Sequence, residues 1–207
     1  MIVVLVDPAA AAGAALEGAE LRPVPLGAAA RAGALADAVR DGAAAVWLLG
    51  PRVVPTDAAL AALGAVGGVL AAGPLLDAAG VPIGAALPDW ARSGPDRQIA
   101  AAAQRRLPIA AAGPDHLLVP AATVAAHGVP SPAAHGSLAV RAWTAQVLRD
   151  ADATGWFAAD AGLRAPAALE PPPADDVRRA GPALRAAGAW GRLDVLEQLA
   201  RPAARRR

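Results

Sequence analysis

The chain of 207 residues carries 19 arginines, no lysine and 18 acidic residues, and its net charge of +1 excludes a nucleic-acid footprint spread over the whole surface. The absence of cysteine excludes disulfides and thiolate metal sites. The length is ample for one domain with a real core, and alanine rather than a membrane-spanning segment raises the hydrophobic content to 56%.

Short apolar runs alternate with alanine-rich segments in the first part of the chain. Ile2 to Val6 has the length and the β-branched residues of a strand, and Ala9 to Glu20 predicts a helix. Glu20 to Leu26 contains two prolines, which indicates a short edge strand. A helix from Gly27 to Arg40 then leads into a buried strand, Ala45 to Leu49. This alternation favours a mainly parallel sheet with helices on both faces.

The stretch from Val46 to Pro55, V-W-L-L-G-P-R-V-V-P, is typical of a buried strand that ends at a turn. Ligands of open α/β sheets bind at the carboxyl ends of the strands. Gly50, Pro51 and Arg52 in this turn are therefore candidate ligand-binding residues.

The second half of the domain contains three recognisable segments. Val66 to Leu76 predicts the end of a helix and a strand, and Pro108 to Pro120, with the letters P-I-A-A-A-G-P-D-H-L-L-V-P, predicts a strand near its end. Leu138 to Arg149 predicts a helix, with Ser137 as its N-cap. Between them, Val81 to Gln104 is irregular. Tryptophans 47 and 143 stand in apolar runs, which predicts that both are core residues.

Composition divides the chain into an α/β domain, a proline-rich linker and a helical appendage with an arginine-rich tail, at residues 1–168, 169–176 and 177–207. The appendage is predicted to form one or two helices broken at Gly181-Pro182 and at Gly188. Trp190 shares a face with three leucines, and that face could pack on the domain, on a second copy as a homodimer, or on a partner protein.

The terminal sequence R-P-A-A-R-R-R predicts weak contact with an anionic membrane surface, since each basic residue near such a surface contributes about 1 kcal/mol. A solvated tail is the alternative. Met1 to Val6 is too short for a signal-peptide core, so we expect a cytoplasmic protein, with the tail allowing peripheral contact at the inner membrane face.

The segment around Trp47 resembles the metal-binding strand of family 2 glycosyltransferases, where W-L-L precedes two or three aspartates and then V-V-P. Val4 to Asp7 is similar to the family's V-V-D strand, and Gly27 to Gly33 to its A-A-R-N-x-G helix without the asparagine. The segments from Val66 and from Pro108 continue the resemblance. It implies a three-layer GT-A fold. Because the family's opening β-α unit has no counterpart here, it also implies a homologue that is shortened at its N-terminus or whose start is misassigned.

The resemblance also implies that the family's acidic positions are vacant. Gly50, Pro51 and Arg52 stand where the metal-binding aspartates would be, so no Mg²⁺ or Mn²⁺ cofactor is expected. Two further family positions, the acidic pair that contains the catalytic base and a metal-binding histidine, fall on Ala139 and Val140 and on Ala165. No catalytic residue is therefore expected there. Asp7 corresponds to the carboxylate that contacts the nucleoside.

Three functions remain open at this level. The first is a pseudoenzyme that binds a nucleoside diphosphate, a nucleotide sugar, a glycan or a protein partner, with Arg52 facing the diphosphate. The second is an active, metal-independent glycosyltransferase in which Asp7, Asp115 or Asp160 takes the acidic role. The third is a structural interaction module. A metal site is not favoured, because the spacing of the histidines at 116, 127 and 135 matches no helical ligand pair.

Overall fold

The structure of the protein is a computed structural model that describes residues 1–12, 14–80, 82–84, 87–88, 106–150, 154–165 and 172–186. Several predicted features lie outside these residues. They are most of the irregular stretch around Trp90, in which only the short strands Pro82–Gly84 and Leu87–Pro88 are described, the first three residues of the proline-rich linker, the apolar face around Trp190 and the arginine-rich tail. Their predictions therefore stay predictions.

Strands and helices alternate through the described part of the chain. The strands are β1 (Ile2–Val6), β2 (Ala19–Pro23), β3 (Ala45–Leu49), β4 (Ala71–Ala72), β5 (Leu75–Leu76), β6 (Pro82–Gly84), β7 (Leu87–Pro88), β8 (Arg106–Ala111), β9 (His116–Pro120), β10 (Gly155–Ala158) and β11 (Leu163–Arg164). The helices are α1 (Pro8–Ala11), α2 (Ala28–Arg40), α3 (Asp57–Val66), α4 (Ala121–His127), α5 (Pro132–His135), α6 (Ala139–Asp150) and α7 (Ala174–Ala186).

Eight of these strands form one sheet, in the order β2-β1-β3-β9-β4-β10-β8-β7, and β11, β5 and β6 form a smaller one. In the large sheet β8 and β9 run antiparallel to the other six strands. The α/β class predicted from the alternation is confirmed. The predicted mainly parallel sheet is a mixed sheet, because β9 inserts between β3 and β4 with the opposite direction.

Apolar side chains cover both faces of the large sheet. Leu48 and Leu117 face a layer formed by α2, α4 and α6, which includes Trp143. Trp47 is fully buried on the opposite face, against α3 and the small sheet. Both tryptophans are core residues, as predicted, and the helices lie on both faces. No helix among the described residues combines the length and apolar character that a membrane crossing requires.

Most of the predicted elements before residue 50 are present, with one exception. The predicted helix from Ala9 to Glu20 is wrong in extent, since α1 ends at Ala11 and the chain enters β2 at Ala19. Gly18 adopts a φ of +72° in the turn before β2, a left-handed conformation that glycine adopts more readily than alanine. The predicted edge strand is confirmed, because β2 lies at the edge of the large sheet.

The C-terminal segment differs from its prediction in two ways. Helix α7 begins at Ala174, so the last residues of the predicted linker are helical. The predicted break at Gly181-Pro182 is wrong, because the helix continues through Pro182. Its apolar face packs against α6 through Val177 and Leu184, and this burial offsets the cost of an interior proline, which is about 3 kcal/mol.

Candidate functional site

The candidate site lies along the row of strand ends where β1 and β3 end and β9 begins. This row of strand ends, and not the outer strand β2, is the edge that contains the site. Leu5 pairs with Leu48 in parallel register, and Leu49 pairs with His116 in antiparallel register. The residues just outside these pairs therefore converge. The N–H of Gly50 donates to the backbone oxygen of Asp115 at 2.8 Å, which fixes the turn after β3 to the residue before β9.

Asp7 holds the turn after β3 in place. Its Oδ1 accepts a hydrogen bond from Ala9 N–H at 3.1 Å and caps α1, and its Oδ2 accepts one from Arg52 N–H at 3.0 Å. Arg52 has a φ of 54°, and among the described residues no other non-glycine has a positive φ. Because this left-handed conformation is unfavourable for an arginine, the bond to Asp7 helps to stabilise it.

The Arg52 side chain projects from this turn into solvent. It is exposed, and its guanidinium has no hydrogen-bond or ion-pair partner within the described ranges. An exposed guanidinium with free donors can bind a phosphate or carboxylate through two parallel hydrogen bonds. The predicted ligand-binding residues Asp7, Gly50, Pro51 and Arg52 are thus brought together at one edge.

Arg31, in the first turn of α2, lies beneath this edge and is 6% exposed. Its Nη2 donates to Leu49 O at 2.7 Å and its Nη1 to Pro114 O at 3.2 Å. Burial lowers the pKa of Arg31, while the carboxylates of Asp115 and Asp7 counteract that effect. Arg31 therefore joins the end of β3 to the segment before β9 and carries a positive charge between two acidic residues.

Asp115 places a carboxylate against the end of β3. A Cβ atom added to Gly50 would lie 3.1 Å from both Cβ and Oδ1 of Asp115. A Cβ atom added to Gly113 would lie 3.4 Å from Oδ2 of the same carboxylate. The two glycines thus leave room on two sides of Asp115, which a larger residue at either position would reduce.

Burial raises the pKa of Asp115, and the positive charges of Arg31 and Arg141 oppose the increase. Its carboxylate accepts no hydrogen bond from the part of the chain that the structure describes, and the residue is partly exposed. A carboxyl group with a perturbed pKa near the ends of strands is a common feature of functional sites.

Ala139 and Val140, at the start of α6, are 0% and 4% exposed and pack in the core. Arg141 is the next residue, and its Nη2 lies on the Asp115 side, 3.2 Å from a Cβ atom placed on Gly113. At the start of α6, the side chain near the candidate site is therefore that of Arg141 and not that of an acidic residue. Ala165 is also buried in an apolar environment, after β11.

The prediction that Ser137 is an N-cap is wrong. Residues Gly136–Leu138 form a 3-10 turn before α6, and Ser137 N–H and hydroxyl donate to Asp176 Oδ2 at 2.8 and 2.6 Å. Arg179 also binds the Asp176 carboxylate. Burial would raise the pKa of Asp176, but the Ser137 hydrogen bonds and the Arg179 ion pair together lower it. Asp176 thus fastens α7 to the turn before α6.

Two further polar residues named in the sequence analysis are Asp160 and His116. Asp160 follows β10, which β4 separates from β9. The His116 ring is buried against Trp47, with the ring centroids 5.6 Å apart, and its Nδ1 lies 3.3 Å from Pro74 O. Burial lowers the pKa of His116 to about 4, and the Pro74 hydrogen bond opposes that shift.

The residues at this edge do not fit a divalent cation. Mg²⁺ and Mn²⁺ need several oxygen ligands, and Gly50, Pro51 and Arg52 supply no side-chain oxygen. Asp7 and Asp115 are accompanied by three arginines, whose charges oppose a cation. Within the described segments no group of three or more acidic or histidine side chains could hold a metal.

Sequence reasoning found the edge but missed parts of the site. The sequence indicates Asp115 only as an alternative acid and Arg31 only as part of a helix motif. Arg141 was missed, and its single signal was its place in the first turn of the predicted helix. Comparison of the chain with models of protein families and with curated proteins gives no match.

Proposed function

We propose that this chain is a glycosyltransferase-like protein of family 2 and GT-A type that binds a nucleoside diphosphate or a nucleotide sugar and lacks metal-dependent catalysis. The observation that carries the proposal is the turn after β3. Its backbone is held by Asp7, at the position of the family's nucleoside contact, and it presents the exposed Arg52 guanidinium where the metal-binding aspartates would stand.

The charges at the edge suit a diphosphate. Arg31 and Arg52 lie at the same edge as Asp7 and Asp115, and Arg52 can supply the positive charge that a cation would otherwise bring to the phosphates. Asp7 accepts two backbone hydrogen bonds, and an ionised carboxylate has about four acceptor positions, so it can still accept a hydrogen bond from a nucleoside.

The absence of ordinary catalysis follows from the start of α6. General-base catalysis typically contributes 10²–10⁴-fold, and neither Ala139 nor Val140 can accept a proton. Both side chains are packed in the core, so neither of them faces a ligand.

Isothermal titration calorimetry with UDP, GDP and dTDP, with and without Mg²⁺, tests this proposal. We expect wild-type protein to bind at least one of them without Mg²⁺ and Arg52→Ala to bind it about 10–100-fold more weakly, the effect of losing a hydrogen-bonded charge. Arg40→Ala is the control, because Arg40 is an exposed arginine at the other end of α2. Equal affinity in wild type and Arg52→Ala would contradict the role of Arg52.

A second candidate function is an active, metal-independent glycosyltransferase, and Asp115 is the observation that favours it. Its carboxylate stands at the same edge, and burial raises its pKa, as in many general bases. Turnover of nucleotide sugars without Mn²⁺, lost in Asp115→Asn, would support this candidate. Binding without turnover would support the pseudoenzyme.

A further inference from the structure

The space beside the end of β3 contains the carboxylate of Asp115, which comes from the segment before β9. A side chain at position 50 would start 3.1 Å from Cβ and Oδ1 of Asp115, so an acidic residue at 50 and Asp115 in its present position would compete for the same volume. Glycine at 50 and aspartate at 115 are therefore complementary. The carboxylate beside the end of β3 is supplied by the residue before β9 and not by the turn after β3.

The environment of Asp115 leaves its acceptor capacity unused. The carboxylate is partly exposed and accepts no hydrogen bond from any described residue. Arg31 attracts it, but the two Arg31 donors with assigned partners bind Leu49 O and Pro114 O instead. Because the carboxylate is accessible to solvent, a ligand that brings hydroxyl groups can reach it and donate to both of its oxygens.

We propose that Asp115 is a specificity-determining residue that accepts hydrogen bonds from the sugar hydroxyls of a bound nucleotide sugar. The inference rests on the proposed function and names the part of the ligand that Asp115 contacts. The two carboxylate oxygens, one beside Gly50 and one beside Gly113, suit a pair of neighbouring hydroxyl donors. A phosphate would be repelled by Asp115 and attracted by Arg52, so the two side chains select different parts of one ligand.

Calorimetry can separate sugar recognition from diphosphate binding. UDP, GDP and dTDP are each compared with their glucosyl, galactosyl and mannosyl conjugates, and the readout is the ratio of Kd for the nucleoside diphosphate to Kd for its conjugate. We expect a ratio of about 10 or more for at least one conjugate in wild-type protein, the effect of hydrogen bonds to a charged group, and a ratio near 1 in Asp115→Asn.

A charge-conserving variant tests the position of the carboxylate. Gly50→Ala adds a Cβ that would lie only 3.1 Å from Asp115 Cβ and Oδ1, so the carboxylate must move although its charge is kept. We expect the Kd ratio to fall in this variant as well. Asp41→Asn is the control, because Asp41 follows the C-terminal end of α2 and pairs with Arg22. This variant should keep the wild-type ratio.

The outcomes distinguish the inference from the function on which it rests. If wild-type protein binds neither the diphosphates nor the conjugates, the proposed function fails. If it binds the diphosphates but prefers no conjugate, or if Asp115→Asn keeps the wild-type ratio, the inference about Asp115 is overturned while the diphosphate site stands.

Discussion

Two carboxylates occupy comparable positions in this protein and have opposite chemical environments. Asp115 stands against Gly50 at the end of β3, and Asp176 stands against Gly136 just before α6, where a Cβ atom would overlap the carboxylate. Asp115 belongs to the segment before β9, and Asp176 belongs to α7.

Hydrogen-bond donors account for the difference between them. Asp176 is buried but receives two hydrogen bonds from Ser137 and an ion pair from Arg179, so its pKa is lowered. Burial raises the pKa of Asp115, and the attraction of Arg31 and Arg141 does not cancel that increase. Asp176 therefore acts as a structural link, whereas Asp115 retains acceptor capacity for a ligand.

Acid pH should separate the two carboxylates, but His116 titrates in the same range and must be removed first. Its pKa in the folded protein is about 4, below its ordinary 6.5, so the stability from the neutral ring is fully present above pH 6.5 and is lost as the pH falls toward 4. The loss amounts to at most about 3 kcal/mol. Urea unfolding at pH 7 and pH 4 should show a smaller loss for His116→Asn than for wild type, and an equal loss would contradict the assignment.

Asp176→Asn should reduce the free energy of unfolding by about 2 kcal/mol at pH 7, because it weakens charge-assisted hydrogen bonds to Ser137 and removes the ion pair with Arg179. The lowered pKa gives the sign of the pH effect, since this stability is present above the ordinary pKa and is lost as the pH falls through the lowered one. Asp175→Asn removes only an exposed ion pair with Arg178 and should change stability by at most about 0.5 kcal/mol.

Asp115→Asn should have the smallest effect on stability, within about 0.5 kcal/mol at pH 7. No protein hydrogen bond is lost from the described residues, and the relief of a desolvated charge offsets the lost attraction to Arg31 and Arg141. The sign of its pH effect is opposite to that of Asp176, because a raised pKa favours the folded protein below the ordinary pKa and less as the pH rises. Urea unfolding with a loss of about 2 kcal/mol would make Asp115 structural and remove the contrast.

Local patterns in the sequence were sufficient for several elements. The predicted strand from Ala45 to Leu49 matches β3 residue for residue, and the predicted helices up to Arg40 and around Trp143 are α2 and α6. Alanine-rich segments were less informative, since alanine favours a helix without fixing its length, and α1 is much shorter than predicted. The continuous helix through Pro182 depends on packing against α6, which no local rule contains.

By itself the sequence determined the α/β class and the strands that end at the candidate edge, because β1 and β3 are each encoded by a run of neighbouring apolar residues. Only the tertiary structure decided which charges meet at that edge. The antiparallel pairing of β9 with β3 places Asp115 beside Gly50, and α2 places Arg31 beneath both. The packing of α7 places Asp176 within hydrogen-bond distance of Ser137. These contacts join residues far apart in the chain, and their geometry follows from strand order and helix packing rather than from any local pattern.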